Sequence, residues 1–103
     1  MKRNYAIVHS DGRLLSKLAI KPVAGGRELD VEFDRDFRRA LSTKSLQEMR
    51  EIHYVLSKTF QQHSFIVVQI TRRRGQFVVD VPGGKRPDWI SQAVDALGGT
   101  FIA

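Results

Sequence analysis

The chain contains no cysteine, which excludes disulfides, thiolate metal sites and cysteine nucleophiles. It has no apolar run approaching the ~18 residues of a membrane-spanning helix. The apolar stretch behind the basic Met1-Lys2-Arg3 stops at His9, too short for a signal-peptide core. A cytoplasmic protein is the expectation. Internal repeats, linkers and low-complexity segments are missing too, as are the phosphate-loop spacing of a nucleotide hydrolase and any H-x-x-x-H metal pair. With hydrophobic residues at 42% of 103, a core can form without a metal or disulfide staple, and the length suits a single domain over 1–103.

What is in surplus is positive charge: 17 lysines and arginines against 11 acidic residues, for a net charge of +6. Such a surplus favours polyanionic partners when clustered, and merely aids solubility when dispersed.

Asn4 to Ser10 reads as a strand, with Tyr5, Ile7 and His9 on one face and Ala6, Val8 and Ser10 on the other. Asp11-Gly12 suits a type I′ hairpin turn, where both central residues need positive φ. A second strand follows from Arg13 to about Lys21, with Leu14, Leu18 and Ile20 on one face and Arg13, Lys17 and Lys21 on the other. After a turn over 22–26, Arg27 to Phe33 alternates again, with Leu29, Val31 and Phe33 inward.

Asp34 to Leu41 fits a short helix capped by Asp34, or an irregular stretch. Ser45 and Glu48 form the S-x-x-E capping box of a helix running to about Gln62, whose apolar stripe is Leu46, Met49, Ile52, Leu56 and Phe60. Two β-rich runs, Ser64 to Arg72 and Gln76 to Val81, form a second hairpin whose near-continuous apolar character marks central strands. A final helix opens at Pro87 or Asp88, buries Ile90, Ala93, Val94 and Leu97, and ends at Gly98-Gly99. Thr100 to Ala103 either adds a short edge strand, able to pair across a homodimer axis through Phe101-Ile102, or docks as a tail.

The order β-β-β-α-β-β-α implies an α+β fold: a mostly antiparallel sheet of five or six strands, joined by local hairpins, with two helices packed on one face.

Several constellations have the residue types for chemistry. Glu28, Asp30, Glu32, Asp34 and Asp36 lie at period two, and paired carboxylates can hold a divalent cation. A hairpin register that sets Lys21 opposite Glu28 and Lys17 opposite Glu32 also matches Ile20 with Leu29 and Leu18 with Val31, so cross-strand ion pairing explains the run without a metal. Arg72, Arg73 and Arg74 crowd a hairpin end, with Lys85 and Arg86 in the following loop. Guanidinium forks bind phosphate in bidentate fashion, and charged flanks also protect an apolar hairpin from aggregation. Gly83-Gly84-Lys85 hints at phosphate contact by loop amides.

Arg50, Tyr54 and Lys58 recur at four-residue spacing on the outer face of the long helix, and Arg38 and Arg39 add charge before it. Tyr54 there suits base stacking or a protein interface. His9, His53 and His63 share no spacing that suggests catalysis or metal binding.

These features predict a non-catalytic protein without cofactor or metal. It would bind nucleic acid, DNA or RNA, through Arg72, Arg73, Arg74, Lys85 and Arg86, with Arg38, Arg39, Arg50, Tyr54 and Lys58 contributing. The competing expectation is a protein-interaction module, such as an inhibitor, adaptor or assembly subunit, docking on an acidic or nucleoprotein partner.

Overall fold

A computed structural model describes residues 4–83 and 85–101. Six strands form one sheet: β1 (Asn4–His9), β2 (Arg13–Val23), β3 (Gly26–Asp34), β4 (Phe65–Arg73), β5 (Gln76–Asp80) and β6 (Thr100–Phe101), in spatial order β3-β2-β1-β4-β5-β6. The helices are α1 (Leu46–Thr59) and α2 (Ile90–Ala96), with a 3₁₀ turn at Phe37–Arg39. The fold is α+β and the element order β-β-β-α-β-β-α is the expected one, with every pairing antiparallel except β5 with β6. That parallel pair makes β5-α2-β6 a crossover unit, where the sequence reading expected local hairpins alone. Ile102, Ala103 and Gly84 lie outside the described residues, and with them the expected two-fold pairing through Phe101-Ile102 and the Gly84 part of the loop.

The two helices do not share a face. Along β1, Ala6 and Val8 pack with Ile90, Ala93 and Val94 of α2, while the intervening Ile7 packs with Met49 and Leu56 of α1. Successive strand side chains point to opposite sides, so the sheet is a central layer with a helix on each side. β4 alternates likewise, Val68 and Ile70 toward α2, Phe65 and Val67 toward α1. This explains why its run is apolar at nearly every position: both faces are covered.

The β2–β3 register is the one charge and hydropathy demand, with Lys17 opposite Glu32, Leu18 opposite Val31, Ile20 opposite Leu29 and Lys21 opposite Glu28. The ion pairs, however, are diagonal: Nζ of Lys17 and of Lys21 lie 3.4 and 3.2 Å from the same Asp30 carboxylate. Those two ammonium groups hold the Asp30 carboxyl below its usual range. A bulge between Leu15 and Lys17 leaves Ser16 unpaired. It puts Leu14 on the α2 side and Leu18 on the α1 side, against the shared face expected for them.

The turns also trade places. At the first hairpin Gly12 alone has positive φ, and its N–H donates to the carbonyl of His9 at 3.0 Å. The loop is therefore the three-residue kind with glycine at the left-handed position. The type I′ conformation belongs to Arg74-Gly75, φ +49° and +80°, between the paired Arg73 and Gln76. Ser45 caps α1, its Oγ accepting the Glu48 N–H at 3.1 Å. The Glu48 carboxylate accepts from the Thr43 hydroxyl in place of closing the box, and the helix ends at Thr59, short of Gln62. No helix among the described residues is long and apolar enough to cross a membrane.

Candidate functional sites: a cationic hairpin and a histidine pocket

β4 and β5 carry the arginine tip. Arg72, Arg73 and Arg74 are exposed, and none has a carboxylate partner among the described residues. Alternation divides them: Arg72 is on the α2 side, its guanidinium 5.9 Å from the Phe77 ring, which stacks on Phe37 with centroids 4.5 Å apart. Arg73 is on the α1 side, where it and Arg74 line a shallow concavity with Gln76 and Val78.

The other predicted cations are distributed. Arg50 and Lys85 meet in a groove between α1 and the loop after β5, shared with His53 and Pro82. His53 is fixed there by a 2.9 Å contact between Nε2 and the Phe65 carbonyl. This groove begins at Val67, six residues along β4 from Arg73, or ~20 Å at the rise of a strand. Arg86 stacks on Phe101 at 4.5 Å. Tyr54 and Lys58 pair with each other on the outer face of α1, the ammonium 5.6 Å from the ring. Arg38 and Arg39 are engaged by Asp36 and Asp34 at 3.1 and 3.5 Å. The Arg38 contact lowers the Asp36 carboxyl and raises the guanidinium in turn. The ten predicted residues thus form separate groups, with the tip and the Arg50–Lys85 groove at opposite ends of one hairpin. Of the five-carboxylate run, Asp30, Asp34 and Asp36 are ion-paired, and the described residues include no cluster of three or more His, Asp or Glu able to hold a metal.

The arrangement that sequence spacing did not reveal lies at the other end of the sheet. β1 pairs with β4 so that His9 is opposite Phe65, and this carries His63 beside His9 although they are 54 residues apart. Nε2 of His9 lies 2.8 Å from Nδ1 of His63. Nδ1 of His9 faces Asp11, 2.9 Å from Oδ1 and 3.0 Å from the Asp11 backbone N–H. Asp11 in turn grips Arg13 through its Nε, 2.6 Å from Oδ2, and Arg13 stacks 5.5 Å over Phe33. With Val31, Phe33, Phe60 and Phe65 as walls, His9, His63 and Arg13 enclose a cavity of about 120 Å³.

His9 is only 6% exposed. Burial lowers its pKa, and His63 and Arg13 push the same way against the pull of Asp11, so the ring is favoured neutral. Burial works to raise Asp11, but hydrogen bonding from Arg13 and the charges of His9 and Arg13 outweigh it and keep the carboxyl below its usual value. The only sequence signal for this site was the strand register itself: once His9 faces Phe65, the residue two before Phe65 must lie near His9. Compared with models of known protein families, with curated proteins and with solved structures, the chain matches none.

Proposed function

We propose that the protein binds nucleic acid with the β4–β5 hairpin, phosphates being held by the Arg72–Arg74 tip at one end and by Arg50 and Lys85 at the other. The observation that carries this reading is the state of the tip. Arg13, Lys17, Lys21, Arg38 and Arg39 each have a carboxylate within 4 Å, whereas the three tip arginines have none among the described residues. One of them occupies a left-handed turn position, φ +49°, that asparagine or glycine would fill at lower energy. Folding gains nothing from an arginine there, and a phosphate ligand does. The ~20 Å between the two cationic ends matches about six phosphates along one strand of a duplex.

The test is fluorescence anisotropy with labelled oligonucleotides over a range of salt. Each phosphate neutralised contributes about 0.9 to the log-log salt slope on duplex DNA, so Arg72→Ala, Arg73→Ala and Arg74→Ala together remove up to ~2.7. An unchanged slope in the triple variant takes the tip out of the contact, and a flat response in the parent chain refutes the reading.

A second reading, a protein-interaction module, is favoured by a different observation. The far half of the β2–β3 hairpin exposes Ile20 and Val23, 59% and 42% accessible, and with Val55 of α1 it borders an apolar groove rimmed by Glu48 and Glu51. Retention of a partner after nuclease treatment distinguishes it from the first.

A further inference from the structure

The histidine pocket is independent of the cationic tip, eight residues or ~26 Å away along β4. Its chemistry follows from counting protons. An imidazole nitrogen pair at 2.8 Å must share one hydrogen, because two lone pairs repel and two N–H groups collide. Two neutral arrangements satisfy this. In the first, His9 accepts the Asp11 backbone N–H on Nδ1 and donates from Nε2 to His63, which then presents an Nε2–H outward. In the second, His9 donates from Nδ1 to the Asp11 carboxylate and accepts from His63, which presents a bare Nε2 lone pair. Asp11 offers the same nitrogen both a donor, at 3.0 Å, and an acceptor, at 2.9 Å. Each arrangement makes one hydrogen bond to Asp11 and leaves the other contact repulsive, which a small shift at Asp11 relieves, so Nε2 of the exposed His63 can face a ligand as donor or as acceptor.

A second group fixes the ligand's charge. Arg13 commits its Nε and Nη2 to Asp11 and leaves Nη1 without a protein partner among the described residues. With His63 it lines the same small, aromatic-walled cavity. A cation beside a nitrogen that can switch between donor and acceptor suits an oxyanion that is itself able to carry or lose a proton near neutrality. A phosphate monoester, second pKa ~6, has that property, and a carboxylate, which ionises near ~4, does not.

We propose that the pocket is a binding site for a phosphate monoester: Arg13 Nη1 and His63 Nε2 hold the phosphate, and the phenylalanine walls take its apolar carrier. The dianion accepts from Nε2–H in the first arrangement, and the monoanion donates its O–H to the bare nitrogen in the second. The Asp11–His9 pair positions His63 and sets its tautomer.

The test is imidazole ¹⁵N NMR of the full chain, titrated with inorganic phosphate, phenyl phosphate and benzoate at about pH 8.5, well above the monoester's second pKa of ~6 and above that of inorganic phosphate too. Inorganic phosphate is expected to shift both His63 and the buried His9 saturably, with His9 moving to its Nε2-protonated form. Phenyl phosphate should bind tighter, and benzoate weaker than either. Arg13→Gln should weaken phosphate by roughly tenfold or more, the loss of one charge-assisted hydrogen bond, with Arg13→Lys recovering part and showing that the fold survives. Absence of a saturable shift, a shift in His63 that leaves His9 untouched, or benzoate matching phenyl phosphate would each overturn the assignment.

Discussion

Replacing Arg74 with asparagine should stabilise the protein while weakening its hold on nucleic acid. The backbone there has φ +49°, a left-handed conformation that costs an ordinary L-residue ~1–2 kcal/mol. Asparagine tolerates it far better and is the preferred first residue of an Xaa-Gly type I′ turn, so recovering about half of that penalty, ~0.5–1 kcal/mol, is reasonable. Little offsets the gain, because the Arg74 side chain is exposed and makes no ion pair or hydrogen bond among the described residues. In a domain of this size each kcal/mol moves the melting temperature by about 4–8 °C, so Tm should rise by roughly 2–8 °C. Urea melts of parent and Arg74→Asn at constant m-value measure the first effect. Salt-dependent anisotropy measures the second, a slope smaller by ~0.9 on duplex DNA. A variant that is equally or less stable would show the turn unstrained, and an unchanged slope would show that this guanidinium meets no phosphate.

Gly12→Ala should cost ~2–3 kcal/mol in urea denaturation, because the turn has φ +86° and the new Cβ would meet Ala96 Cβ at 3.0 Å in α2. In an Ala96→Gly background the loss should shrink, and equal losses in both would exclude the contact. Stability should fall as the pH drops below ~6.5: with the His9 pKa lowered on folding, the unfolded chain binds more protons, so stabilisation is complete above the unfolded value and lost toward the folded one. His9→Asn should flatten that part of a plot of chemical-denaturation free energy against pH, and an identical profile would place the proton uptake elsewhere.

Much of the architecture was legible because it is encoded by neighbours in sequence. The matching of Lys17 and Lys21 to Glu32 and Glu28, together with Leu18 to Val31, admits one hairpin register, and the structure has it. The stripe of Met49 and Leu56 on α1, and that of Ile90, Ala93 and Val94 on α2, are buried as their spacing requires. Which side of the sheet each helix chose was not local information. The clue was Phe65-Ile66-Val67-Val68, apolar in both phases and so in need of two covered faces. Turn chemistry misled in the opposite direction: Asp11-Gly12 has the composition of a type I′ turn, but Gly12 beside α2 takes the wider loop, while Arg74-Gly75, a poorer match, adopts the tight form. The histidine site was hidden for a simpler reason. His9 and His63 acquire a relationship only through pairing across the sheet centre, and no motif spacing encodes a 54-residue separation.

The unpaired Ser16 has a consequence for how this protein tolerates change. Its neighbours Leu15 and Lys17 pair with Phe33 and Glu32, which are adjacent in β3, so the two strands share their faces on either side of the surplus residue. Deleting Ser16 would join Leu15 directly to Lys17 and keep every cross-strand partner, with Leu18 and Val31 still against the long helix. A single-codon deletion at this point therefore removes a local kink and leaves the orientation of the whole wing as it is.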